Sequence, residues 1–181
     1  MHALVLVDIQ KDYFPGGRME VIGALEACEN ARKLLTAFRE KNLPILHIQH
    51  IAARPGATFL LPNTDGIDFH ENVKPLTAET VIKKHFPNSF RETDLEKHLR
   101  SKGIKDLVIC GMMSHMCIDT TTRAAFDLGY SCLAAYDACA TRNMTFNGLE
   151  VPAKQVHAAY MSALGAVFAK VLSTESIIGQ M

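Results

Sequence analysis

The feature that most constrains this chain is an aliphatic run without alternation. Leu4 to Val7, in "ALVLVDIQ", puts apolar side chains on both faces of any strand it forms. Such a strand needs cover on both sides, as in a parallel sheet flanked by helices. "LPILHIQH", "TVIKK", "KDLVICG", "YSCLAAYDA" and "AKVLS" supply five further short strands. Helical periods lie between them. From Gly23 to Asn42, Leu25, Cys28, Ala31, Leu34, Leu35 and Phe38 recur at steps of three or four. Thr93 reads as an N-cap, with Glu96 completing a capping box and Gly103 ending that helix. Ser114 to Leu128 and Pro152 to Leu164 give two more helices. Alternating strands and helices, with no composition break, repeat or low-complexity tract, predict one doubly wound α/β domain over residues 1–181.

Composition limits the partners. Hydrophobic residues make up 48% and charged residues 21%, and the formal net charge is zero. That balance gives no electrostatic case for nucleic acid or an anionic membrane. No apolar stretch approaches the roughly 18 residues a membrane span requires. The first residues, "MHALVLVDIQKDYF", lack a basic leader and a long apolar core, so a cytoplasmic protein is expected. The five cysteines, Cys28, Cys110, Cys117, Cys132 and Cys139, are odd in number and form no CxxC pair. A disulfide framework or zinc ribbon is not expected, and most of these thiols should be small core hydrophobes.

Ligands in doubly wound folds bind beyond the carboxyl ends of the strands. The residues in that position are Asp8, His50, Lys84, the loop before Cys117, and Asp137. Asp8 follows four aliphatic residues, so its carboxylate should be desolvated. A helix cap, a general base, a metal ligand and a phospho-acceptor are all open to it. A dinucleotide or P-loop site is disfavoured, because neither glycine motif follows the first strand. Lys83 and Lys84 face opposite sides of a strand, so one points into the cleft. Cys117 falls within the first turn of a helix. Free N–H groups and the positive end of the helix dipole would lower its thiol pKa and could hold an oxyanion. A base, a cation and a nucleophile at one sheet edge have the logic of covalent catalysis. His47 and His50 face opposite sides and cannot share an ion without a bulge. His50 falls at its strand's end and His115 two residues before Cys117, which makes both candidates to line the cleft. Residues 51–80 form a long excursion without clear period, the kind of loop that carries function.

"LVLVDIQKDYF", "VIKKHFPNSF" and "VICGMMSHMCIDTTTRAAFDLGY" together resemble, in order, the signature segments of the isochorismatase-like cysteine hydrolases. "DACAT" and "VHAAYMSAL" extend the likeness over nearly the whole chain. The resemblance implies a three-layer, Rossmann-like fold with a six-stranded parallel sheet and an Asp8–Lys84–Cys117 triad. It implies a cis peptide between Met112 and Met113, an oxyanion hole from the N–H groups of Met113 and Cys117, and Gln10 as a support for that loop. Tyr13, Phe14, His50, Phe59, Leu60 and His115 are the expected pocket residues, together with Gln10. No cofactor is expected. The region after the second strand lacks the Asp-x-His of metal-binding nicotinamidases, so no metal is expected either. The expected reaction is C–N hydrolysis of a small-molecule amide through a thioester. The alternatives are an isochorismatase-type vinyl-ether hydrolase and a non-catalytic or phospho-accepting signalling domain, the latter with Asp12 helping to bind Mg²⁺. By analogy the assembly would be a homodimer or homotetramer.

Overall fold

The computed structural model describes residues 2–181. In chain order its elements are β1 (His2–Val7), α1 (Ala24–Glu40), β2 (Ile45–His50), β3 (Thr80–Lys84), α2 (Leu95–Ser101), β4 (Asp106–Met112), α3 (Asp119–Asp127), β5 (Ser131–Ala140), β6 (Met144–Phe146), β7 (Leu149–Val151), α4 (Ala153–Val167), β8 (Lys170–Leu172) and α5 (Thr174–Ile178). A central six-stranded sheet has the order β3-β2-β1-β4-β5-β8, with every neighbouring pair parallel. The aliphatic runs lie in its middle: Ala3 to Val7 in β1 and Leu107 to Cys110 in β4 are at most 1% exposed.

From β1 the chain winds outward through β2 and β3, and from β4 it winds the other way through β5 and β8. Right-handed crossovers in opposite directions put the connecting helices on opposite faces of the sheet. α1 packs with α5, and α3 packs with α4. The switch point lies between β1 and β4, where a cleft opens at the carboxyl ends. Gly111 allows these two strands to meet there. Its φ is +125°, and a Cβ on it would lie 2.0 Å from the Val7 carbonyl oxygen.

Several boundaries differ from the sequence reading. The segment Ser114–Ile118 is a π-helical turn, and α3 begins only at Asp119. Thr93 lies one residue before the N-cap position of α2. The N-cap position is Asp94, whose side chain makes no cap bond; Thr93 Oγ1 accepts from the Leu95 N–H at 3.3 Å and donates to the Ser89 carbonyl, and Glu96 pairs with Arg100 instead of closing a capping box. β5 runs on to Ala140, past a register shift opposite Ile109 and Gly111. Asp137 therefore lies within the strand, where its carboxylate accepts from the Thr174 N–H and hydroxyl. The β6–β7 hairpin and α5 had no clear sequence signal.

The 51–80 excursion is tied down along its length. Ile51 N–H donates to the Lys84 carbonyl, Ala52 N–H to the Leu60 carbonyl, and His70 N–H to the Ile9 carbonyl. Asp12 is buried and accepts from the N–H groups of Arg18 and Leu60. Gly66 packs against the Asp12 carboxyl so closely that any Cβ would collide with it.

Candidate active site

Asp8 leaves β1 with φ at +52°, in the left-handed region. Asp tolerates this conformation better than most residues, and such outliers cluster at functional sites. Lys84 ends β3. Both residues are completely buried, and Lys84 Nζ lies 2.8 Å from Asp8 Oδ2. Lys84 also donates to the Pro87 carbonyl at 3.0 Å. Thr121 of α3 holds that segment, accepting from Ser89 N–H and donating to the Pro87 carbonyl. Lys83 is exposed, as strand alternation requires.

Cys117 reaches the same place from the π-helical turn. The Met112–Met113 peptide bond before that turn is cis. The Met113 carbonyl then accepts from the N–H groups of Met116 and Ile118. Behind the turn, Ser114 Oγ lies 2.8 Å from His157 Nδ1, and His115 Nδ1 is hydrogen bonded to Thr141 Oγ1. π-turns of this kind often occur at functional positions.

The electrostatics differ from those expected at a helix mouth. Burial pushes the Cys117 thiol well up, Asp8 pushes it further, and only Lys84 works in the other direction. Burial opposes the charge on Lys84, yet Asp8 and Cys117 raise its pKa overall. Burial and Asp8 thus favour the thiol form of Cys117, while Asp8 and Cys117 favour the charged form of Lys84. Asp8 Oδ2 has the Lys84 ammonium as its close partner.

Cys117 lines a cavity of about 460 Å³, while Asp8 and Lys84 are fully buried beside it. Tyr13, Phe59, Leu60, Phe86, Pro87, Met113 and Met116 form its apolar walls, with Ala52, Ala53 and Ala57 as small side chains among them. Tyr13 and Phe59 pack with ring centroids 5.9 Å apart. The polar lining is His50, Arg54, His85 and Cys117. His50 is held through its backbone by Gln10, whose Oε1 accepts from the His50 N–H at 2.8 Å and whose Nε2 donates to the His50 carbonyl at 2.9 Å.

Three expected pocket residues lie elsewhere. Phe14 packs on His70, with centroids 4.1 Å apart, outside this cavity. His115 braces the underside of the π-turn. Gln10 anchors the end of β2 and the Ile67 carbonyl of the excursion, not the cis-peptide loop. His85, Phe86 and Pro87 line the cavity but were not among the candidates, although they directly follow Lys84. Their signal was simple adjacency to a strand end.

Asp8, His50 and Cys117 offer ligand atoms within 4.8 Å of one another, and among the described residues no other trio could hold a metal ion. The Lys84 ammonium beside Asp8 opposes a divalent cation there.

A model of the isochorismatase domain matches residues 2–176. The chain belongs to the isochorismatase family. The family protein YddQ of Bacillus subtilis (strain 168) is 50% identical over 97% of this chain and 98% of its own length. Streptothricin hydrolase of Streptomyces noursei is 33% identical over 78% of this chain, which spans 50% of that enzyme. The solved structure of an isochorismatase from Pseudomonas putida KT2440 is 37% identical, with a TM-score of 0.91 over 97% of this chain and 89% of that one. This isochorismatase-family chain has the fold of a hydrolase, and no helix among its described residues is long and apolar enough to cross a membrane.

Proposed function

We propose that this hydrolase cleaves the C–N bond of a small amide through a covalent thioester on Cys117. The observation that carries the reading is Cys117, close to Asp8 and its Lys84 partner, lining an apolar cavity. Asp8 takes the thiol proton as the sulfur attacks the amide carbonyl carbon. Burial and Asp8 both favour the thiol form, so on this reading the transfer accompanies the attack. Lys84 stabilises the carboxylate before the transfer and the sulfur's charge during it. The N–H groups of Met113 and Cys117 hold the tetrahedral oxyanion. Asp8 then returns its proton to the leaving nitrogen, and water hydrolyses the thioester.

The relatives agree with a hydrolytic reaction: a ureidoacrylate amidohydrolase of Acinetobacter baylyi is 25% identical over 97% of this chain. Vinyl-ether hydrolysis would leave the buried thiol without a part to play. Phosphoryl acceptance with Asp12 as a magnesium ligand fits poorly, because the Asp12 carboxylate is engaged by two backbone N–H groups. The apolar walls suit a substrate with a flat or cyclic apolar body.

The test is a panel of small amides, ureides and lactams assayed for amine release with wild type and Cys117→Ala. Activity should vanish in the variant. Full retention on every substrate that the wild type hydrolyses would rule out the covalent mechanism.

A further inference from the structure

His50 has no assigned part in the chemistry above, yet its position is closely determined. Gln10 clamps its backbone on both sides, and its Nδ1 is buried and accepts no hydrogen bond among the described residues. That nitrogen lies 4.0 Å from Asp8 Oδ2, a carboxylate oxygen that also has the Lys84 ammonium 2.8 Å away and keeps lone-pair capacity for a further donor. The distance is too long for a direct bond. It suits one small donor set between two acceptors: a water about 2.8 Å from each would subtend an angle of about 90°, near its own H–O–H angle.

We propose that His50 Nδ1 and Asp8 Oδ2 together hold the water that hydrolyses the acyl-enzyme. The inference rests on the thioester reading. One O–H of the water donates to Asp8 and the other to His50, which turns an oxygen lone pair toward the thioester carbon above Cys117. The new C–O bond forms as the first proton passes to the Asp8 carboxylate. The tetrahedral intermediate then collapses, the C–S bond breaks, and Asp8 returns the proton to the departing sulfur. The acid product leaves and the thiol is restored.

The surroundings of His50 support the acceptor role. Burial favours the neutral ring, and of the charged groups facing it Lys84, His85 and Arg54 reinforce that while Asp8 opposes it. A neutral imidazole protonated on Nε2 has its lone pair at Nδ1. His50 thus acts in the second half-reaction and is dispensable in the first. That division separates it from a residue that only shapes the site.

The probe is 4-nitrophenyl acetate, which reports acylation by nitrophenolate release and needs no knowledge of the natural substrate. Wild type, His50→Ala, His50→Asn and Cys117→Ala are compared, with thermal melts to check folding. His50→Ala should retain a first-turnover burst at the wild-type rate. Its steady-state turnover should fall about tenfold to a hundredfold, with acetyl-Cys117 accumulating in intact-mass spectra. His50→Asn, whose amide oxygen can replace Nδ1 as acceptor, should recover most of that turnover. Equal losses in burst and turnover, wild-type deacylation, or no accumulating thioester in His50→Ala would overturn the proposal. Nitrophenolate release that persists undiminished in Cys117→Ala, or absence of acetyl-Cys117 in every variant, would instead overturn the cysteine reading and the inference with it.

Discussion

Gln10 and His50, forty residues apart, share a reciprocal pair of hydrogen bonds: the Gln10 amide oxygen accepts from the His50 N–H, and its amide nitrogen donates to the His50 carbonyl. The same nitrogen donates to the Ile67 carbonyl. One buried side chain thus joins the exit of β1, the end of β2 and the excursion that walls the cavity. Gln10→Leu leaves those backbone groups without their partner and should cost about 2–4 kcal/mol. Urea denaturation measures that cost. A loss below about 1 kcal/mol would show that the clamp is not a structural tie.

Lys84 and Lys83 are adjacent but face opposite sides of β3. Lys84→Met removes the ammonium beside a fully buried carboxylate, which should destabilise the fold by about 3–5 kcal/mol and abolish turnover. Lys83→Met should stay within about 0.5 kcal/mol of wild type, with near-normal turnover. The reverse pattern in melts and assays would contradict the placement of the cation.

The protonation of Cys117 gives a pH signature. Its thiol is raised by burial and by Asp8, so the thiolate fraction keeps growing as pH rises beyond the ordinary cysteine range. Carbamidomethylation of Cys117 by iodoacetamide, followed by peptide mass spectrometry, should therefore climb to about pH 10 without a plateau. A plateau near neutrality would mean a resting thiolate and a different first step.

Glu79 connects three segments far from the cavity, accepting from Arg39, from His47 and from the Leu76 N–H. Burial alone would raise its carboxyl pKa, but Arg39, Leu76 and His47 outweigh it and lower the value from 4.5 to about 2. A depressed carboxyl contributes stability above its unfolded pKa and loses it as pH falls through the folded one. The contribution, on the order of 2 kcal/mol, should be present near neutrality and fade between about pH 4.5 and pH 2. The stability gap between wild type and Glu79→Gln should narrow across that window in urea titrations. A constant gap would assign the effect to packing.

Gly111→Ala places a methyl group against the Val7 carbonyl at a φ that disfavours side chains. Splitting β1 from β4 at the switch point should cost more than about 3 kcal/mol and displace Asp8. A thermal melt unchanged from wild type would contradict the close approach.

The sheet was legible because its inner strands are apolar on both faces, a pattern that only a covered parallel sheet satisfies. Asp8, Lys84 and Cys117 could be found because strand ends mark where such folds bind ligands. Other features depend on contacts between distant segments. Phe14 and Tyr13 are neighbours in sequence, yet a single 3₁₀ turn sends one to His70 and the other into the cavity. The π-turn at the helix start is tied to distant segments, Ser114 bonding to His157 and His115 to Thr141. The direction of the Cys117 shift was misjudged for a similar reason. Helix position favours thiolate, but burial beside a carboxylate outweighs it, and only the assembled structure shows that carboxylate next to the sulfur.

The three alanines of the excursion, Ala52, Ala53 and Ala57, face a cavity whose proposed reacting groups all come from strand ends and the π-turn. Reaction and selectivity are thus written on different pieces of chain. On the proposed mechanism, lengthening one of those methyls would narrow the range of accepted substrates while leaving the reacting atoms where they are. Descendants of such a scaffold could change diet one small side chain at a time without reinventing the reaction.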